Sequence, residues 1–311
     1  MLIPAGKFIM GTPEPVPVDE AVFRQKIVTG QAVFAVGGGV LLVLLLTAII
    51  SAIRQRHRPQ MSLARFTVMI MVAGVAVLGG VHWLHSARAL AQAQTEYKGA
   101  WARFKDSGDW DKPAHDVTLT TPFYMDKYSV TQAQYQQVMG ANPSRFEGVN
   151  LPVETVSWDD SVAFCKKVSK KTGLIVRLPT DAEREYACRA GTTTLYYTGD
   201  SEDDLDKAAW YGVYSFGTTH PVGQKLPNAW GLYDMHGNVW EWCSDWYEEY
   251  KPDAVINPQG PSEGLRRVLR GSAWNHLAPD CRAAYRIGFY PTVSESDVGF
   301  RMVVDVASKT P

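Results

Sequence analysis

The segment GLYDMHGNVWEWCSDWY, residues 231–247, is dense in aromatic residues and in turn-forming Gly, Asn and Asp. Trp240 and Trp242 alternate with Val239 and Glu241, and we read both tryptophans as core residues. Working outward, three helix starts carry their own signature. Thr131 opens T-Q-A-Q, Ser157 opens S-W-D-D and Thr180 opens T-D-A-E, with Gly140, Gly173 and Gly191 as the expected stops. In each, a hydroxyl caps free backbone N–H groups and an amide or acid three residues on answers it. Trp158, Val162, Cys165 and Val168 fall at helical spacing and supply a core face.

Beyond Gly191 the pattern changes to short strand-like runs: RRVLRGSAW, CRAAYRIGF and VGFRMVVDV, with NPQGPSEG (257–264) as a loop. The expected class is α+β, with few helices and much irregular structure. The chain has 311 residues, 31 basic against 32 acidic side chains, and a formal net charge of -1. That balance gives no electrostatic case for nucleic acid. Four Cys are too few for a disulfide-dense scaffold.

The amino-terminal third has a different composition. Residues 27–53 and 66–87 carry no Asp, Glu, Lys or Arg, and each exceeds or matches the roughly 20 residues that cross a hydrocarbon core. They predict two transmembrane helices forming a hairpin, so that the lipid bilayer is an expected partner. The intervening loop, 54–65, holds Arg54, Arg56, Arg58 and Arg65. The positive-inside bias places this loop in the cytoplasm and the remainder outside it, periplasmic or at the cell surface. A signal peptide fits less well, because Glu14, Asp19 and Glu20 precede the apolar run.

The 231–247 segment resembles the hallmark of the formylglycine-generating enzyme family, the sulfatase-modifying factors. Other motifs follow in the family's order. They are MLIPAGKFIMGTPE (1–14), PFYMDKYSVTQAQYQQVMG (122–140), LPVETVSWDDSVAFCKKV (151–168), RLPTDAEREYACRAGTT (177–193), RVLRGSAWN (267–275), CRAAYR (281–286) and VGFRMV (298–303). The resemblance implies a C-type-lectin-like fold. Its opening strand would be 1–14 and its main body 113–307, with the membrane hairpin inserted between them. Two spans return the chain to one side, so residues 1–14 either rejoin the domain or remain an unpacked remnant.

The resemblance also implies sites. Active family members bind copper through two cysteines, a soft-ligand chemistry. Here Asn275 and Asp280 stand at those offsets, so copper is not supported. Ser272 matches a family active-site serine. Together with Asn275, His276, Asp280 and His236 it makes up the candidate catalytic set. Asp234, the carbonyls of Gly237 and Val239, and Glu241 match a structural calcium site. Cys188 and Cys281 lie in motifs that pack near one another in the fold; they form a disulfide or are free buried thiols. Two functions remain open. One is an oxidoreductase that modifies a protein or peptide outside the cytoplasm. The other is a non-catalytic, lectin-like ligand-binding or scaffold module held at the membrane.

Overall fold

The structure is a computed structural model, and it describes residues 1–12 and 110–306. Its elements, in chain order, are strands β1 (Leu2–Ile3), β2 (Gly6–Met10), β3 (His115–Leu119) and β4 (Phe123–Met125), then helices α1 (Gln132–Met139) and α2 (Trp158–Thr172). Strand β5 (Val176–Arg177), helix α3 (Asp181–Arg189) and a short helix α4 (Glu202–Asp206) follow. The rest is strand: β6 (Trp240–Trp246), β7 (Val255–Ile256), β8 (Arg267–Arg270), β9 (Arg286–Phe289), β10 (Val298–Gly299) and β11 (Val303–Asp305). Two 3₁₀ turns, Gly212–Ser215 and Ala278–Cys281, interrupt the long loops. This is the α+β arrangement the sequence predicts.

All three predicted capping boxes form. The side chains of Thr131, Ser157 and Thr180 accept from the backbone N–H of Gln134, Asp160 and Glu183, and those residues return the bond. Gly140 and Gly173 close α1 and α2 in the left-handed region. The stop of α3 falls one residue earlier than expected, at Ala190 (φ 45°). Helix α3 reads as polar, yet every residue from Asp181 to Arg189 is buried. Burial of such a helix is tolerable only because its charges are paired.

Three small sheets pack around two larger cores, and a smaller cluster gathers Tyr196, Leu205, Tyr211 and Cys281. The sheets have strand orders β1-β4-β11-β5, β10-β6-β8-β9 and β2-β3-β7. One core gathers Ile3, Met10, Val117, Phe123 and Tyr186; the other gathers Tyr135, Phe164, Trp240, Trp242 and Phe300. Trp242 is wholly buried, and its Nε1 donates to Val156 O at 3.0 Å. The tryptophans of β6 are therefore core residues, as read from the sequence.

Residues 1–12 pack with the main body, which excludes an unpacked remnant for them. The expected single opening strand is two strands in different sheets, separated at Pro4 and Ala5. Strand β1 pairs Leu2 with Tyr124, and β2 pairs residue by residue with β3, from Gly6–Leu119 to Met10–His115. Gly11 N then donates to Glu185 Oε1 at 3.0 Å, and Thr12 N to Asp111 O at 2.8 Å. Thr12 and Asp111, on either side of the undescribed stretch, thus lie side by side. A closed junction of this kind makes the length between its ends cheap to change. Replacing residues 14–108 with a short Gly/Ser linker should leave a folded domain. Its thermal midpoint should lie within a few degrees of the full chain, as circular dichroism would read.

The expected two-span membrane architecture is corrected. No helix among the described residues is long and apolar enough to cross a membrane. The longest, α2, has 15 residues and a length of about 22 Å, short of a hydrocarbon core of about 30 Å. It also carries Asp159, Asp160, Lys170 and Lys171 in its end turns. Residues 27–53, 54–65 and 66–87 lie outside the described residues. The extracytoplasmic placement rested on that hairpin and is withdrawn with it.

Candidate functional site

Strand β8 ends in a sharp turn. Gly271 (φ 94°) and Ser272 (φ 65°) both adopt left-handed backbone, which re-aims the chain into the 273–281 loop. Ser272 is fully buried, and its side chain lies beside the Cys281 thiol. The hydroxyl is not presented to solvent. Beyond it, Trp274 N donates to Asn238 O and its ring Nε1 to Ser296 O, at 3.0 and 3.1 Å. Phe146 meets the Trp274 ring edge-on at 5.4 Å.

His276 follows, one third exposed. Its Nδ1 lies 3.5 Å from Asp280 Oδ2 and its Nε2 3.4 Å from Asp297 Oδ2. Burial alone would lower its pKa, but hydrogen bonds and charge from the two aspartates outweigh that and raise it to about 9. The ring is thus a cation at neutral pH, with both nitrogens engaged. For Asp297, burial opposes ionisation, while His276 and the Asn275 side chain favour it, and the net shift is downward. The residues at the copper-cysteine offsets, Asn275 and Asp280, therefore hold this charged pair together.

His236 does not join that face. It is fully buried, stacked on Tyr197 at 4.7 Å and beside Cys188 Sγ at 3.7 Å. Burial and the Arg184 charge lower its pKa to about 3, so it is neutral. Its Nε2 accepts from Tyr197 N at 3.1 Å. Of the expected catalytic set the structure joins Asn275, His276 and Asp280, and it turns Ser272 and His236 inward. Asp297 and Trp274 were missed. Asp297 stands in an acidic stretch, SESD, whose spacing carries no link to His276.

All four cysteines are free and buried, the second of the two alternatives left open for Cys188 and Cys281. Cys188 faces His236 and Met235 O instead. Burial raises the pKa of every thiol: Cys165 to about 12, and Cys188, Cys243 and Cys281 also upward. A thiolate is the species that ligates metal or attacks, and none of these sites favours one.

Of the four residues matched to calcium, Glu241 and Asp234 are buried and hydrogen-bonded within the fold. Glu241 is completely buried and accepts from Arg184 Nε at 2.6 Å, from Arg301 Nε at 2.7 Å and from Ser129 Oγ at 2.7 Å. Burial resists its ionisation, but the two guanidiniums bring its pKa down to about 2. Two internal cations hold both carboxylate oxygens, and a divalent ion beside them would meet like charge. Gly237 is pressed against Trp210, whose carbonyl oxygen would lie 2.3 Å from an added Cβ. Val239 is buried in the fold. Asp234 Oδ2 accepts from Gly223 N at 2.8 Å, while its buried Oδ1 has no partner. Burial lifts this carboxyl to about 6. Among the described residues, no group of three or more His, Cys, Asp or Glu side chains is placed to hold a metal ion. Millimolar calcium or chelator should therefore leave the thermal midpoint unchanged; a calcium-dependent rise of several degrees would contradict this geometry.

Residues 65–306 match the family described as the sulfatase-modifying factor enzyme 1-like domain. The chain belongs to that family. Relatives of this sulfatase-modifying factor domain carry diverse names. It is 31% identical over 238 residues to the chaperone protein LppX of Paenibacillus barcinonensis, covering 60% of this chain and 81% of that one. It is 33% identical over 207 residues to the formylglycine-generating enzyme of Mus musculus, covering 61% and 53%. Against the serine/threonine-protein kinase pkn1 of Chlamydia pneumoniae it is 31% identical over 239 residues, covering 67% and 37%. The chain thus spans about half of the mouse enzyme and just over a third of the kinase. Among solved structures it resembles Treponema denticola variable protein 1, with a TM-score of 0.61 and 33% identity over 63% of this chain and 88% of that one. It also resembles PvdO of Pseudomonas aeruginosa, with a TM-score of 0.57 and 29% identity over 63% and 85%. Relatives named as chaperone, enzyme and kinase show that function in this family must be argued from the site.

Proposed function

We propose that this sulfatase-modifying factor domain is a ligand-binding module rather than a copper-thiolate oxidase. Its binding face is formed by Trp274, Asn275, His276, Asp280 and Asp297. The observation that carries this reading is the use made of the two copper-cysteine positions. Asp280 and Asp297 flank the His276 ring, and Asn275 bonds Asp297; neither Asn275 nor Asp280 can supply soft sulfur. His276 has no free ring nitrogen to act as a base or a ligand. What the face offers is a fixed polar array beside the half-buried rings of Trp274 and Phe146, the mixture of apolar wall and placed polar groups that binds small ligands or peptide segments.

The test pairs two measurements on the purified protein. A peptide carrying Cys-x-Pro-x-Arg is incubated with the copper-loaded protein and read by mass spectrometry. Glycan and peptide arrays are then probed with wild type, Trp274→Ala and Asp297→Asn. The reading expects unchanged peptide cysteine, and array binding that both substitutions weaken. Formylglycine in the peptide would overturn it, as would array binding indifferent to both substitutions.

A further inference from the structure

The 3₁₀ turn Gly212–Ser215 and its cap form an apolar tip that the binding face does not use. Val213 is 62% exposed and Phe216 82%. Phe216 also holds φ 55°, a left-handed conformation that is costly for a bulky side chain. Such a residue on a loose loop would relax, but this loop is braced from below. Ser215 is fully buried, its Oγ donates to Gly212 O at 2.7 Å, and its carbonyl lies 2.8 Å from His220 Nε2. His220 is stacked flat on Trp210 at 3.7 Å, and Asn238 bonds both its backbone N–H and its carbonyl, each at 3.0 Å. Tyr211, at the base, is 2% exposed. The fold thus spends rigid, buried polar contacts on keeping two apolar side chains in water.

The surroundings supply the sign of the partner. Between residues 200 and 225 there are five acidic side chains, Asp200, Glu202, Asp203, Asp204 and Asp206, against Lys207 and Lys225. Helix α4, which carries four of the five acids, is tied to the tip's base by Tyr211 Oη and Glu202 Oε1 at 3.4 Å. Both lysines are paired within the same segment, Lys207 with Asp204 and Lys225 with Asp206.

We propose that the 211–217 tip is a protein-docking element, and that its occupant is a partner protein offering an apolar pocket rimmed by lysine or arginine. An exposed aromatic anchor on a rigid support is the usual centre of such an interface, and the acidic frame steers a basic rim toward it. The base of the tip adjoins the His276 loop, with Gly212 lying close to the His276 carbonyl and Tyr211 packed with Ala278 and Cys281, but the exposed Val213 and Phe216 are different observations from those that carry the binding face.

The experiment uses the full chain and a defined probe, an amphipathic helical peptide with a leucine face and a lysine rim. Binding is followed by fluorescence anisotropy at two salt concentrations. Saturable binding should be seen, about tenfold weaker for Phe216→Ser, weaker in high salt, and unchanged for Leu265→Ser, which removes an exposed apolar side chain elsewhere. A peptide with glutamate in place of lysine should not bind. Phe216→Gly relieves the backbone strain and should raise the thermal midpoint while losing binding, which separates display from stability. Several results would overturn the proposal: equal affinity for wild type and Phe216→Ser, equal loss with Leu265→Ser, binding of the acidic peptide, or no binding. A Phe216-dependent dimer in sedimentation would also overturn it, because the occupant would then be a second copy of this chain.

Discussion

Glu241→Gln should cost the domain about 3–5 kcal/mol, the loss typical of breaking a buried ion pair from one side. Arg184 and Arg301 are 1% and 0% exposed and share this one carboxylate. Glutamine keeps the shape and one acceptor oxygen but removes the charge. Two buried guanidiniums would then face each other without compensation. At this domain size the loss corresponds to roughly 10 °C or more in the thermal midpoint, read by circular dichroism at neutral pH. Arg301→Met added to Glu241→Gln should cost much less than the sum of the two single changes, since the second removes a charge the first left unpaired. Additive losses would contradict this arrangement.

Arg270→Met should have a comparable effect through the second buried hub. Arg270 is 1% exposed and pairs with Asp181 through Nε and with Glu185 through Nη2 at 2.8 Å. It also donates to Tyr250 Oη and to the carbonyls of Ala283 and Ala284. Arg286 Nε reaches the other oxygen of Asp181 at 3.0 Å. Burial works against ionised Asp181, but Arg270 and Arg286 outweigh it, and the folded pKa is depressed. Its contribution is therefore present above the unfolded value, about 3.9, and is lost as pH falls through the folded pKa. The deficit of Arg270→Met should be about 3–5 kcal/mol near pH 7 and should narrow below pH 4. A deficit independent of pH would mean that the side chain's packing, not its charge, matters most.

These two hubs show where the sequence was legible and where it was not. The capping boxes at Thr131, Ser157 and Thr180 were readable because capping acts between residues three apart. The core role of Trp240 and Trp242 was readable for a similar reason, from strand alternation and residue type alone. Ion pairing has no such local rule. Glu241 meets Arg184 and Arg301 across 57 and 60 residues. Nothing in DAEREYACR marked α3 as a buried helix, since its polar residues look solvated until their partners are known. Separation in sequence, though shorter, also hid Asp297 from His276. The resemblance pointed to the 272–280 loop, but only the structure shows that Ser272 and His236 face inward. Residues 27–87 illustrate the opposite error, in which composition alone was extended into an architecture that no described helix supports.

The most direct test of the central claim is the affinity of the purified, reduced protein for Cu(I), measured by competition against a chromogenic chelator. The domain described here offers buried, protonated thiols and, at the copper-cysteine offsets, Asn275 and Asp280. It should not hold Cu(I) stoichiometrically, and Cys281→Ser should change nothing. Stoichiometric, competitive Cu(I) binding that disappears in Cys281→Ser would contradict the account and return the domain to the oxidase class.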